Sequence, residues 1–143
     1  MTEKLTNAQE RFLITYVDLL VEVDDVLSYV SECYIKGDVD IGDRLLRDVM
    51  KGMLPYHPEN MTLVSIFGSD DTALSVLGEF HSAVIQAVEV EERFGFGSAG
   101  AGVAADAVGD TGERMRFLHE VLTARYEAWR KVVEKKRSEW ESF

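Results

Sequence analysis

Arg114 and His119 form the pattern R-x-x-x-x-H, and their side-chain types suit phosphate chemistry. A histidine serves as general acid or base near neutral pH, and an arginine stabilises charge developing on a phosphoryl oxygen. His119 is one of three histidines, with His57 and His81. No H-x-x-x-H or E-x-x-H spacing puts two ligands on one helix face, so neither a metal nor a cofactor is expected. The carboxylates of Glu22 and Asp25, and of Glu89 and Glu92, do stand three residues apart. Such pairs can bridge Mg²⁺ and a phosphate. In a chain with 26 acidic residues they also arise by chance, and they read as solvated helix faces.

Residues 95–100, G-F-G-S-A-G, fit the template G-x-G-x-x-G. In a dinucleotide fold those glycines work because a strand feeds the loop and a helix leaves it, aiming N–H groups at the pyrophosphate. Here the preceding residues have a helical period, and Glu120, placed about twenty residues on like a ribose-binding acid, falls within another helical pattern. The hexapeptide therefore reads as the opening of an interhelical connector.

The Arg114/His119 pair resembles the signature of HEPN ribonucleases, which are small all-α proteins. That resemblance implies an RNA substrate cleaved with Arg114 and His119 at the scissile phosphate. It spans two residues, and the expected polar residue after Arg114 is missing, since Met115 stands there. The carboxylate pairs resemble those of all-α nucleotide pyrophosphatases, in the reverse chain order.

The elements that would hold these residues are helices. Leu13, Tyr16, Leu20, Val23, Leu27, Val30 and Tyr34 are spaced alternately by three and four, with Phe12, Leu19, Val26 and Cys33 in a row beside them. That stripe is too wide for a two-stranded coiled coil and suits a bundle interior. Thr6 with Gln9 has the capping-box pattern, so the helix should start at Asn7, and Gly37 should stop it. A second helix is expected over about 41–53. The stretch 61–68 is ambiguous and leans to helix. A third long helix, capped by Asp70 or Asp71, carries Ala73, Leu77, Phe80, Val84 and Ala87 towards Phe94. Residues 95–112 hold six of the eleven glycines and no base, an overlong connector that suits a lid or a spacer. A fourth helix runs over about 111–141, with Met115, Leu118, Leu122, Trp129, Val133 and Trp140 near one face.

The expected fold is all-α, an antiparallel up-and-down four-helix bundle in one domain, 1–143, with the Gly/Ala-rich connector at 95–110. The net charge of −11 repels phosphate backbones and anionic membranes, so nucleic-acid and membrane partners are not expected. The acidity is uneven: residues 1–110 carry 20 acids and 7 bases, residues 111–143 carry 6 and 8. Cys33 is alone, so no internal disulfide forms. With no signal-peptide layout and no bilayer-length apolar run, a cytoplasmic location is expected.

The function expected is non-enzymatic protein binding by an adaptor, a chaperone-like module or a regulator, with a protein partner or a second copy in a homodimer. The C-terminal arm offers Trp129, Val133, Lys136, Trp140 and Phe143 as docking residues. The alternatives are the ribonuclease using Arg114 and His119, and an acidic inhibitor that imitates nucleic acid.

Overall fold

A computed structural model describes residues 5–94 and 111–141, the last two of these in backbone only. The G-F-G-S-A-G hexapeptide, the 95–110 connector, the Trp140 side chain and Phe143 lie outside the described residues. Every regular element among the described residues is helical. None of these helices is long and apolar enough to cross a membrane.

Helix α1 spans Asn7–Lys36 and opens on the expected capping box. The Gln9 backbone N–H donates to Thr6 Oγ1 at 3.1 Å, and the Thr6 N–H donates to Gln9 Oε1 at 2.9 Å. Two of the donors that a helix start leaves orphaned are thereby satisfied. Gly37 ends α1 with φ of 86°, a left-handed conformation that glycine adopts without a Cβ clash. The whole row from Leu13 to Tyr34 is buried, Cys33 with it, while Phe12, Leu19 and Val26 pack at its margin.

Gly37 and Asp38 alone join α1 to α2, Val39–Met53, which begins two residues before the expected Ile41. The ambiguous stretch is helical: α3 covers Met61–Phe67. Asn60 accepts from the Leu63 N–H, and its own amide donates to the Pro55 carbonyl. The Gln9 side chain donates to the Ser65 carbonyl and hydroxyl, clipping α3 onto the start of α1.

Asp70 caps α4, Asp71–Val88, by accepting from the Ala73 N–H. The expected single helix to Phe94 breaks at Glu89, and a short α5, Val90–Phe94, follows. Arg47 of α2 pairs with Glu91 of α5 across that joint. The final helix, α6, runs over 111–141, with Phe117–Thr123 wound as π-helix and Ala124–Glu141 as α-helix.

The π winding has a reason in the buried row. Arg114, Leu118, Leu122 and Tyr126 face inward four residues apart, and three such steps would carry the row about 120° round a pure α-helix. A π segment takes more residues per turn and holds the row in line. After Tyr126 the buried positions Trp129 and Val133 return to α spacing. Helix α1 packs on α2 and α6, and α4 packs on the same two.

Candidate functional site

Among the described residues, the charged side chains in the interior are Asp43 and Arg114, each only 1 % exposed. Their placement follows from their rows. Asp43 occupies the face of α2 that buries Leu46, Met50 and Met53, and Arg114 heads the buried row of α6. Arg114 Nε and Nη2 donate to Asp43 Oδ1 and Oδ2, both at 2.9 Å, the bidentate geometry that suits a guanidinium to a carboxylate. The Tyr34 hydroxyl donates to the same Oδ1 at 2.7 Å. Arg114 also lies 5.8 Å from the centre of the Phe94 ring. Burial, and then the hydrogen bond to the Asp43 carboxylate, push the Tyr34 hydroxyl well above its ordinary pKa.

Gly42 makes the arrangement possible. A Cβ there would stand 2.7 Å from Tyr34 Cε1 and 3.2 Å from Cys33 Cβ. Its absence lets the Tyr34 ring lie against α2, with the hydroxyl beside Asp43. Arg114 sits in the first turn of α6, where the helix dipole disfavours a cation, and the Asp43 carboxylate offsets that cost. The cluster thus ties α1, α2 and α6 together at one end of the molecule.

The two residues of the phosphate-chemistry pattern are not brought together. Arg114 lies in the interior on Asp43, whereas His119 is exposed and sits 3.0 Å from the Ser31 hydroxyl through Nε2. Glu120 is exposed on the π segment. His57 and His81 do meet, with ring centres 5.5 Å apart, but His119 does not join them. His81 Nε2 donates to the Leu54 carbonyl, and His57 Nδ1 accepts from the Glu59 N–H. No three metal-ligating side chains gather among the described residues, and Glu22, Asp25, Glu89 and Glu92 are all solvent-facing.

The C-terminal arm turns part of the row expected to face outward into the core. Trp129 and Val133 are fully buried and cannot serve as outward docking residues. Trp129 Nε1 donates to the Tyr16 hydroxyl at 2.8 Å, and its ring packs on Phe67 at 5.1 Å. Phe12, Tyr16 and Tyr56 complete this aromatic cluster at the end remote from Asp43. Lys136 remains half-buried at the rim of a cleft of about 160 Å³ floored by Phe67, Ala73 and Val132. That volume holds a few waters and falls short of the several hundred Å³ of ordinary ligand sites.

A second feature faces outward and was not singled out in the sequence. Ile14, Val21 and Ile35 are 40 %, 40 % and 71 % exposed on α1. With exposed Ser28 they form a row with a residue every seventh position. Beside it runs a second seven-residue row, Asp18, Asp25 and Glu32, also exposed. The signal that could have found it is a heptad offset by one position from the buried seam.

No curated protein and no solved structure matches the chain. A family model described as a domain of unknown function, DUF8042, matches residues 11–100. That span holds Tyr34, Gly42 and Asp43 and the whole outward row of α1. The chain belongs to the DUF8042 family.

Proposed function

We propose that this chain is a non-enzymatic protein-binding module, an up-and-down bundle of α1, α2, α4 and α6 with the Gly/Ala-rich segment linking α5 to α6. It works as an adaptor, a chaperone-like protein or a regulator. The observation that carries the reading is the outward face of α1. Large apolar side chains, Ile14, Val21 and Ile35, are left in water there on one heptad row, along a helix of 30 residues. Scattered exposed apolar residues need no explanation, but a row aligned along one helix is the form that helix-to-helix recognition takes.

The supporting contrast is internal. The guanidinium that a ribonuclease would direct at phosphate is engaged by Asp43 and shielded from solvent. The test is affinity capture from the native cell with the intact protein and with Ile14→Ser/Val21→Ser/Ile35→Ser, followed by crosslink mapping. A partner captured by the first, crosslinked to α1 and lost by the second, is the expected result. An RNA-cleaving activity abolished by His119→Ala in a protein of unchanged melting behaviour would overturn the reading. His119 is the informative position because it is exposed, so its loss leaves the fold intact.

A further inference from the structure

The outward face of α1 carries more than apolar residues, and its charges select among partners. Helix α1 holds two bases, Arg11 and Lys36, one near each end. Between them lie Asp18, Glu22, Asp24, Asp25 and Glu32, and of these Asp24 alone turns partly inward, 3.6 Å from Arg130. The exposed mid-section is therefore an apolar row beside an uninterrupted acidic row.

We infer that this face receives a cationic amphipathic helix of another protein, laid along α1 with its apolar edge on Ile14, Val21 and Ile35 and its lysines or arginines on Asp18, Asp25 and Glu32. The inference rests on the protein-binding reading and narrows its partner. Three observations argue for that occupant.

First, the seven-residue spacing specifies a helix. A straight α-helix drifts about 20° per heptad, so a row of strict heptad period stays in contact only with a partner that winds round it left-handedly. From Ile14 to Ile35 the row runs about 32 Å at 1.5 Å per residue, the span of a helix of about twenty residues. Ser28, the one polar member, fixes the axial alignment, as a polar residue in such a seam does.

Second, the flanking charge is of one sign. Opposite charges beside an apolar seam set partner choice, while like charges there are destabilising.

Third, neither a second α1, nor α6, nor the composition of the 95–110 segment offers the complement. Two copies of α1 laid antiparallel would set acidic row against acidic row. Helix α6 has exposed Lys131 and Lys135, but its exposed positions between Ala124 and Ser138 include no large apolar side chain. The 95–110 segment contains two aspartates and no base.

The test uses two synthetic helices of four heptads, each with isoleucine and leucine along the seam. One carries lysine on both flanks and the other glutamate at the same positions. Fluorescence anisotropy reads binding to the full chain, with a photo-crosslinker in each peptide to map contact. The lysine helix is expected to bind and crosslink to α1, and the glutamate helix not to bind. Ile14→Ser/Val21→Ser/Ile35→Ser should weaken the lysine helix by about tenfold or more. Asp18→Lys/Asp25→Lys/Glu32→Lys should exchange the preference, so that the glutamate helix binds instead. All six side chains are exposed, so melting curves should match the parent and keep loss of binding separate from loss of fold.

Equal binding of both peptides, or no binding of the lysine helix, would overturn the inference. Crosslinking to another face, insensitive to the serine substitutions, would remove α1 from the site and leave the broader protein-binding reading standing. Dimerisation of the chain, lost on the same serine substitutions, would give the face to a second copy and equally overturn the inference.

Discussion

Arg114 shows how one residue type serves two different chemistries according to its surroundings. With solvent around it, the guanidinium beside a histidine would be a phosphate clamp. Sealed against Asp43 and Tyr34, it fixes three helices relative to one another. A buried ion pair adds little over an apolar substitute, yet losing one partner strands the other charge at a cost of about 3–5 kcal/mol. Arg114→Met or Asp43→Asn should therefore lower the unfolding free energy by about that much in urea titrations. The combined Tyr34→Phe/Asp43→Leu/Arg114→Met chain should recover most of it. Single losses below about 1 kcal/mol would mean that water reaches the cluster and solvates the orphaned group. The sequence held a signal for this site: Asp43 lies seven residues before Met50 and Arg114 four before Leu118, both on apolar faces. What it could not disclose is that the two charges meet, because pairing across 71 positions is a fact of topology.

At the scale of elements, the helices were legible because their causes are local. The Thr6 box, Gly37, and the three–four alternation from Leu13 to Tyr34 each act within a few residues, and each appears in the structure as read. Two features of winding were missed, the break at Glu89 and the π segment, because both depend on what neighbouring helices demand. The spacing of four that runs from Arg114 to Tyr126 was visible, but nothing local distinguishes it from a loosely patterned α-helix. Helix α2 offers a direct measure of local against tertiary control, since it contains two glycines with opposite surroundings. Around Gly52 a Cβ would meet nothing within 4 Å, whereas at Gly42 it would press on Tyr34. Gly52→Ala should stabilise the protein by about 0.5–1 kcal/mol through helix propensity and the entropy of the unfolded chain. Gly42→Ala should destabilise it by about 1–3 kcal/mol, because the tyrosine it displaces is buried and hydrogen-bonded. Thermal or urea unfolding of the pair would decide, and equal effects would show that Tyr34 yields freely.

Three buried tyrosines extend through the whole molecule: Tyr16 in the aromatic cluster, Tyr126 midway and Tyr34 at the ionic end. The Tyr126 hydroxyl donates to the Leu20 carbonyl and accepts from Arg130. Burial is the leading cause of a raised pKa in all three. The sign follows from proton counting. Below the ordinary tyrosine value of about 10 both folded and unfolded chains hold these protons, and the contribution to stability is complete. Above it the unfolded chain releases them while the folded chain does not, so stability must fall as pH rises. Each tyrosine should remove about 1.4 kcal/mol per pH unit until its folded form also ionises. Urea titrations at successive alkaline pH values should show this loss, with a shallower slope in Tyr34→Phe. A flat profile above pH 10 would mean that the hydroxyls ionise in place.

The π segment gives α6 the role of a phase joint. Removing one residue between Phe117 and Thr123 would let the stretch rewind as α-helix, at no loss of helical hydrogen bonding. Rewinding with every residue kept would turn everything beyond the segment by about 100° relative to what precedes it, and losing one residue cancels that turn. Rewound at full length, the chain could seat Arg114 on Asp43 or Trp129 on Tyr16 but not both, whereas the chain one residue shorter should seat both and keep its melting temperature. By absorbing a surplus residue, the π winding allows a single helix to close the molecule at its ionic end and at its aromatic end together.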